Sequence, residues 1–115
     1  MQQYIPTLPL RHSQDVPAEI NDILSLLETV MDPETGINIV DMGLIYGIHH
    51  EGDRLKLRMT MTSAACPMGD LLIEDVERCL HKAFSANTQI HVDLTFNPPW
   101  GPAMMSDSAR AQFGW

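Results

Sequence analysis

The chain has 115 residues, a length that suits a single domain with one hydrophobic core. Fifteen acidic against seven basic side chains give a net charge of −8, and no basic cluster is present that could neutralise nucleic-acid phosphates or anionic lipids. No apolar run approaches the roughly 18 residues that are needed to cross a bilayer. We therefore expect neither a nucleic-acid partner nor a membrane.

The cysteine content and the N-terminal residues indicate in which cellular compartment the protein is expected. Two cysteines are too few for a disulfide framework. The N-terminal stretch lacks the basic and then apolar pattern of a secretory signal. We expect a cytoplasmic protein.

The first predicted elements are an arm and a helix. Residues 1–15 contain two prolines and no hydrophobic period, which predicts an extended arm before a single domain at 16–115. From Val16 onward, apolar residues recur at helical spacing: Ile20, Ile23, Leu24, Leu27, Val30 and Met31. Pro33 disfavours helical geometry in the residue before it, so we expect the helix to reach this proline and end there.

A β-hairpin is predicted next. The segments "LIYGIHH" at 44–50 and "RLKLRMTMT" at 54–62 are separated by the turn sequence "EGD". In the second segment apolar residues alternate strictly with charged and hydroxyl residues, which is typical of a strand with one buried face. We expect the two strands to pair antiparallel and to pack against helices.

The rest of the chain predicts a helix, a third strand and a short closing helix. Helical periodicity runs from about Pro67 to Phe84, and "TQIHVDLTF" at 88–96 alternates again, with its apolar residues predicted to be buried. A whole helix between strands two and three allows them to pair in parallel. We expect the closing helix within "SDSARAQF", before Gly114. This order predicts an α+β two-layer α-β-β-α-β sandwich with a small three-stranded mixed sheet.

Cys66 lies at the junction between a strand and a helix, within "TSAACPMGD" at 62–70. As an N-cap or its neighbour, it would face unpaired N–H groups and the positive end of the helix dipole, which lowers the pKa of a thiol. Small neighbours such as Ser63 leave the sulfur accessible. The alternative is a small buried residue, as free cysteines often are; the position favours a reactive or metal-binding thiol.

Cys79 is predicted to be a core residue, because it lies on the apolar stripe of the second helix. It follows Cys66 by thirteen residues, or about 20 Å of helix. The two sulfurs can therefore neither form a disulfide nor bind the same metal ion. Iron and iron–sulfur clusters prefer several thiolates. Any iron or cluster at Cys66 must be shared between chains, completed by another protein or a small thiol, or held transiently.

The histidines do not form a metal motif. His49 and His50 are adjacent on a strand and point to opposite faces, and His91 lies on a polar strand face. None has the spacing of a dedicated metal site, so we interpret them as solvated. A histidine paired with Cys66 would make a thiol-dependent enzyme, and the sequence leaves that alternative open.

Three blocks of sequence resemble a known family. They are "DPETGINIVDMGLIYGI", "MTMTSAACPMGDLL" and "VDLTFNPPWGPAMMSDSARAQFG", in that order. Together they resemble the metal–sulfur cluster biosynthetic proteins, which include the SUF-system protein T and the phenylacetate-degradation protein D. The similarity runs from about Ile20 to the C-terminus. It implies an iron–sulfur cluster assembly-type α+β fold and an accessory carrier or targeting factor rather than an enzyme.

The resemblance also implies site residues and partners. The family's acidic pair falls on Asp32 and Glu34, its threonine on Thr62, with Ser63 beside it, and its thiol on Cys66. The implied partners are iron–sulfur assembly proteins and client apoproteins. The implied cargo is a transient cluster or iron, shared between chains, for example in a homodimer. One departure is that an alanine precedes the cysteine where the family commonly has glycine.

Two further hypotheses compete with a cluster carrier. The chain could be an adaptor, in which loops 32–43 and 97–105 recruit client proteins and Cys66 is incidental. It could also be the thiol-dependent enzyme mentioned above. The carrier hypothesis requires Cys66 as a ligand, whereas the adaptor hypothesis does not.

Overall fold

A mixed β-sheet forms the base of the computed structural model, which describes residues 9–14, 16–62 and 69–115 and the main chain of residues 2–4. The strands, in their order across the sheet, are β1 (Gln2–Tyr4), β2 (Ile45–Glu51), β3 (Arg54–Met59) and β4 (Gln89–Leu94). The helices are α1 (Ala18–Leu27), α2 (Gly69–Ala83) and α3 (Asp107–Phe113). The predicted α+β sandwich is confirmed.

The strand directions agree with the sequence analysis. β2 and β3 pair antiparallel around a turn at Gly52, and β3 pairs in parallel with β4 after the crossover through α2. β1 comes from the predicted arm and pairs antiparallel with β2, so it adds a fourth strand to the three predicted ones. Leu10, also from the arm, is buried, and its N–H donates to the carbonyl of Ile45 at 2.8 Å.

Helix α1 ends earlier than the apolar period predicts. The period extends to Met31, but the helix ends at Leu27, so the prediction was wrong over the last turn. The Thr29 hydroxyl donates to the carbonyl of Leu26 at 2.7 Å, and the Val30 N–H donates to that of Leu27 at 3.1 Å. These bonds close a tight turn, after which Met31 forms an isolated antiparallel bridge with Asn38.

The hydrophobic core lies between the helices and one face of the sheet. The inward residues of β3 are buried as their alternation predicts, and the buried residues of α1 and α2 belong to the same cluster. The cluster includes Ile20, Leu24, Leu55, Leu57, Met59, Leu72, Val76 and Leu80. β4 behaves differently, because Leu94 is 38% exposed and Phe96, just beyond the strand, is 39% exposed. Their predicted burial was wrong, since β4 is the last strand of the sheet.

Helix α3 forms where the sequence places a closing helix. The Ser106 side chain accepts a hydrogen bond from the N–H of Ala109, which is an N-cap. Gly114 ends the helix with a left-handed conformation, at φ 73°. Within the ranges given above, no helix is both long enough and apolar enough to span a membrane.

Candidate functional site

The loops that carry the predicted site residues lie at one end of the sheet, where the strands begin or end. β3 and β4 both end there, and the antiparallel β2 begins there. The Thr60 N–H donates to the carbonyl of Leu44 at 2.8 Å, and the Thr95 N–H donates to that of Met59 at 2.9 Å. The loop before β2, the segment after β3 and the segment after β4 are therefore neighbours. We call this end of the sheet the loop edge.

Asp32 organises the first of these segments. Its side chain is only 3% exposed. One carboxylate oxygen accepts the N–H of Glu34 at 3.1 Å, and the other accepts the hydroxyl of Thr35 at 3.3 Å. The Gly36 N–H donates to the Asp32 carbonyl at 2.8 Å, with Gly36 at a positive φ of 72°. Asp32 thus acts as a loop-forming residue, whereas Glu34 places an exposed charge on the surface of the same loop.

A second turn continues the loop. The Asn38 side-chain amide donates to the carboxylate of Asp41 at 2.7 Å, and the Asp41 N–H donates back to the Asn38 side chain at 2.9 Å. Sequence reasoning missed this pair, although Asn and Asp are both residues that favour turns. Gly43 follows with a φ of 78°, and a Cβ at this position would overlap the carbonyl oxygen of Met104. The loop and the chain near Met104 are therefore in direct main-chain contact.

The segment after β4 is hydrogen-bonded to this loop. The indole N–H of Trp100 donates to the carbonyl of Met42 at 2.7 Å, and the Ser106 N–H donates to that of Asp41 at 2.8 Å. Trp100 also packs against the core, so it serves as a packing residue. Loops 32–43 and 97–105, which the adaptor hypothesis names together, form one continuous surface.

Tyr46 connects the same segment to the first residues of β2. Its hydroxyl donates to the carbonyl of Pro98 at 2.9 Å. Burial raises the pKa of this hydroxyl, and a hydrogen bond with the side chain of Thr60 opposes the rise. The buried hydroxyl therefore remains protonated and keeps donating to Pro98.

Cys66 and Ser63 lie outside the described residues, within 63–68, and their predicted roles stay predictions. The residues on either side are described. Thr62 is half-buried just beyond β3, and Gly69 begins α2. A Cβ on Gly69 would come within 2.8 Å of the Met61 sulfur, so the first turn of α2 packs directly against the chain that leaves β3. Both flanks of the cysteine segment thus lie at the loop edge, where the loop that begins at Asp32 also ends at Leu44.

Cys79 is far from this edge. It lies ten residues after Gly69, which corresponds to about 15 Å along α2. Its thiol donates to the carbonyl of Leu26 at 3.3 Å and lies 3.6 Å from the Thr29 hydroxyl, on the wall of a groove of about 550 Å³ between α1 and α2. The side chain packs against the core but is only half-buried, so the prediction that Cys79 is a core residue is confirmed only in part.

The histidines make local contacts. His50 Nδ1 lies 2.6 Å from the carboxylate of Glu19, and His49 Nε2 lies 3.3 Å from that of Glu51. His91 is exposed on β4. Within the part of the chain that the structure describes, no group of three or more His, Cys, Asp or Glu residues could hold a metal ion.

Known proteins are similar to this chain in both sequence and fold. The model of the family described as iron–sulfur cluster assembly protein matches residues 20–92. The chain is 39% identical over 95 residues to an Fe-S protein maturation auxiliary factor of Porphyromonas gingivalis, covering 82% of this chain and 90% of that protein. It is 36% identical over 86 residues to the Fe-S protein maturation auxiliary factor SufT of Staphylococcus aureus, covering 74% and 97% respectively.

A solved structure shares the fold. A domain of unknown function, DUF59, from Bacillus anthracis superimposes with a TM-score of 0.78 at 37% identity, covering 84% of this chain and 92% of that one. The family model spans more than half of the chain, and relatives above 30% identity are covered nearly end to end. The chain therefore belongs to the iron–sulfur cluster assembly protein family.

Proposed function

We propose that this protein is an accessory factor in iron–sulfur protein maturation, in which Cys66 provides one thiolate ligand to iron or a cluster that is passed to a client protein. The observation that carries the proposal is the loop edge. There the Thr60 N–H donates to the carbonyl of Leu44, at the end of the loop to which Asp32 belongs, and the start of α2 at Gly69 packs against Met61. The names of the relatives, which are maturation auxiliary factors, support the same role.

The start of α2 supports an anionic sulfur in this segment. The first N–H groups of a helix have no intrahelical partner, and a helix as long as α2 places partial positive charge at its N-terminal end. A thiolate close to those groups is stabilised relative to a thiol, and the thiolate is the form that binds iron. Asp70 in the first turn of α2 opposes this effect.

The distance between the two cysteines supports transient rather than permanent holding. Cys79 donates to a carbonyl of α1 about 15 Å along α2 from Gly69. This chain therefore offers one thiolate where iron–sulfur clusters take several. The remaining ligands must come from another protein or a small thiol, and the cluster is then cargo that leaves with its other ligands.

Anaerobic reconstitution with iron and sulfide tests the carrier function. We expect the wild-type chain to develop thiolate-to-iron absorption in the visible range, and Cys66→Ser to lose it. Cys79→Ser is the matched control and should keep the absorption, because that sulfur faces α1. Undiminished absorption in Cys66→Ser would exclude Cys66 as the ligand.

An adaptor function is the second candidate, and the continuity of loops 32–43 and 97–105 favours it. Hydrogen bonds from Trp100 and Ser106 fix the two loops to each other, and Glu34 projects an exposed charge from their common surface. A client-maturation assay separates the candidates. If the chain is an adaptor, Glu34→Lys abolishes maturation while Cys66→Ser is silent. Glu74→Lys, at an exposed position on α2, is the charge-matched control.

A further inference from the structure

β4 presents an open hydrogen-bonding edge. It is the last strand in the sheet order, and within the described ranges no strand pairs with its outer side. The N–H groups of Gln89 and Thr95 donate to carbonyls of Asp53 and Met59, at 2.6 and 2.9 Å. Main-chain groups alternate sides along a strand, so the even-numbered residues between them direct their N–H and C=O groups outward. Open edges of this kind are sites of strand addition.

The side chains of β4 separate into two rows. Ile90 and Val92 pack partly against the core, and Leu94 follows them on the same face with 38% of its surface exposed. His91 and Asp93 lie on the opposite face, where Asp93 is 3.5 Å from the Arg58 side chain of β3. The strand therefore has one apolar row that is incompletely covered. Its polar row contains a histidine, His91, and a carboxylate, Asp93.

We propose that a second copy of this chain pairs antiparallel with β4, around a two-fold axis at Val92. In that register Val92 faces its symmetry mate, and Ile90 faces Leu94 of the other copy. These are the residues whose main-chain groups point outward, so each pair exchanges two N–H···O=C bonds. Apolar side chains meet apolar side chains on the helix-covered face, which is the favourable cross-strand combination.

The polar row fits the same register. His91 of one copy lies opposite Asp93 of the other, twice by symmetry. These are non-hydrogen-bonded pairs, in which opposing side chains come closest together. Opposite charge across such a pair is favourable and like charge is unfavourable. The register that satisfies the main chain is thus also the one that matches apolar with apolar residues and histidine with carboxylate.

This dimer has a consequence for the cargo, which rests on the proposed function. The antiparallel arrangement directs the loop edges of the two copies to opposite ends of an eight-stranded sheet, so Thr62 and Gly69 of one copy lie at the opposite end from those of the other. Under the proposed function each copy then handles its cargo separately, and the missing ligands come from another protein or a small thiol.

Sedimentation at physiological ionic strength tests the association without any iron. We expect a concentration-dependent monomer–dimer equilibrium. His91→Glu should raise the dimer dissociation constant at least about tenfold, because like charges then face each other twice. His81→Glu, at an exposed position on α2, is the charge-matched control and should leave the constant unchanged. A chain that stays monomeric at millimolar concentration overturns the proposal and leaves this edge to an extended segment of another protein.

Disulfide cross-linking tests the register, in a background that carries Cys66→Ser and Cys79→Ser. Val92→Cys should oxidise to a covalent dimer, because directly opposed residues have Cα atoms about 5.5 Å apart. His91→Cys should not, since its symmetry mate lies on the diagonal at about 7–8 Å. Equal cross-linking at both positions, or none at 92, rules out this register. Neither result depends on iron binding, so failure here leaves the carrier proposal intact.

Discussion

Strands β3 and β4 have the same alternating sequence pattern, yet they are stabilised differently. The inward residues of β3 are almost completely enclosed, with Leu57 at 1% exposure, whereas Leu94 at the end of β4 is 38% exposed. β3 has a strand on each side, and β4 has one only on its β3 side among the described elements. The chain that follows β4 is instead fixed by hydrogen bonds from Trp100 and Tyr46. Alternation thus indicates which face points inward, but neighbouring elements decide how fully that face is covered.

The largest expected effect is at the centre of β3. Leu57→Ala removes a fully enclosed side chain and should lower the free energy of unfolding by about 3 kcal/mol. Leu71→Ala, at a 43% exposed position on α2, is the control and should change it far less. Urea denaturation followed by circular dichroism measures both. Equal losses at the two positions would contradict the burial difference.

Next is the hydrogen bond that holds the chain after β4. Trp100→Phe keeps an aromatic ring but leaves the Met42 carbonyl without its 2.7 Å donor. The unpaired carbonyl and the smaller ring should together cost about 2 kcal/mol of stability. Trp115→Phe serves as the control, because Trp115 is 56% exposed. Thermal unfolding of both variants tests whether this region depends on polar contacts.

A smaller effect is expected within β4 itself. Val92→Ala should cost about 1 kcal/mol, because the side chain is only half-buried on the last strand. The comparison with Leu57→Ala is made at low protein concentration, where dimers are absent. A loss as large as that at Leu57 would show that β4 is covered more fully than its exposure indicates.

An effect of similar size to that at Val92 is expected at Tyr46, and it depends on pH. Burial raises the pKa of its hydroxyl, so the folded chain keeps the proton at a pH where the unfolded chain already releases it. The free energy of unfolding should therefore fall as the pH rises above about 10. Tyr46→Phe should lose about 1 kcal/mol at neutral pH through the missing bond to Pro98, and its alkaline decline should be shallower. Identical alkaline profiles would exclude Tyr46 as the responsible group.

Local pattern was sufficient for much of the fold. The hairpin, the parallel crossover and the closing helix before Gly114 follow from alternation, connection length and capping residues. These features depend on near neighbours in sequence, for which periodicity is informative. The resemblance implied Asp32 and Glu34 as site residues, but the use of Asp32 within its own turn was not predicted, because a carboxylate that forms a turn and one that faces a ligand look alike in sequence.

The sequence by itself determined the fold class, the inward faces of β3 and β4 and the presence of one cysteine between a strand and a helix. Tertiary structure decided where α1 stops, since a turn and a bridge at Met31 replaced its last predicted turn. It also decided the proximity of loops 32–43 and 97–105 and the exposure of β4. These properties depend on contacts between residues far apart in the chain, and a single sequence encodes such contacts only through the packing of the whole molecule.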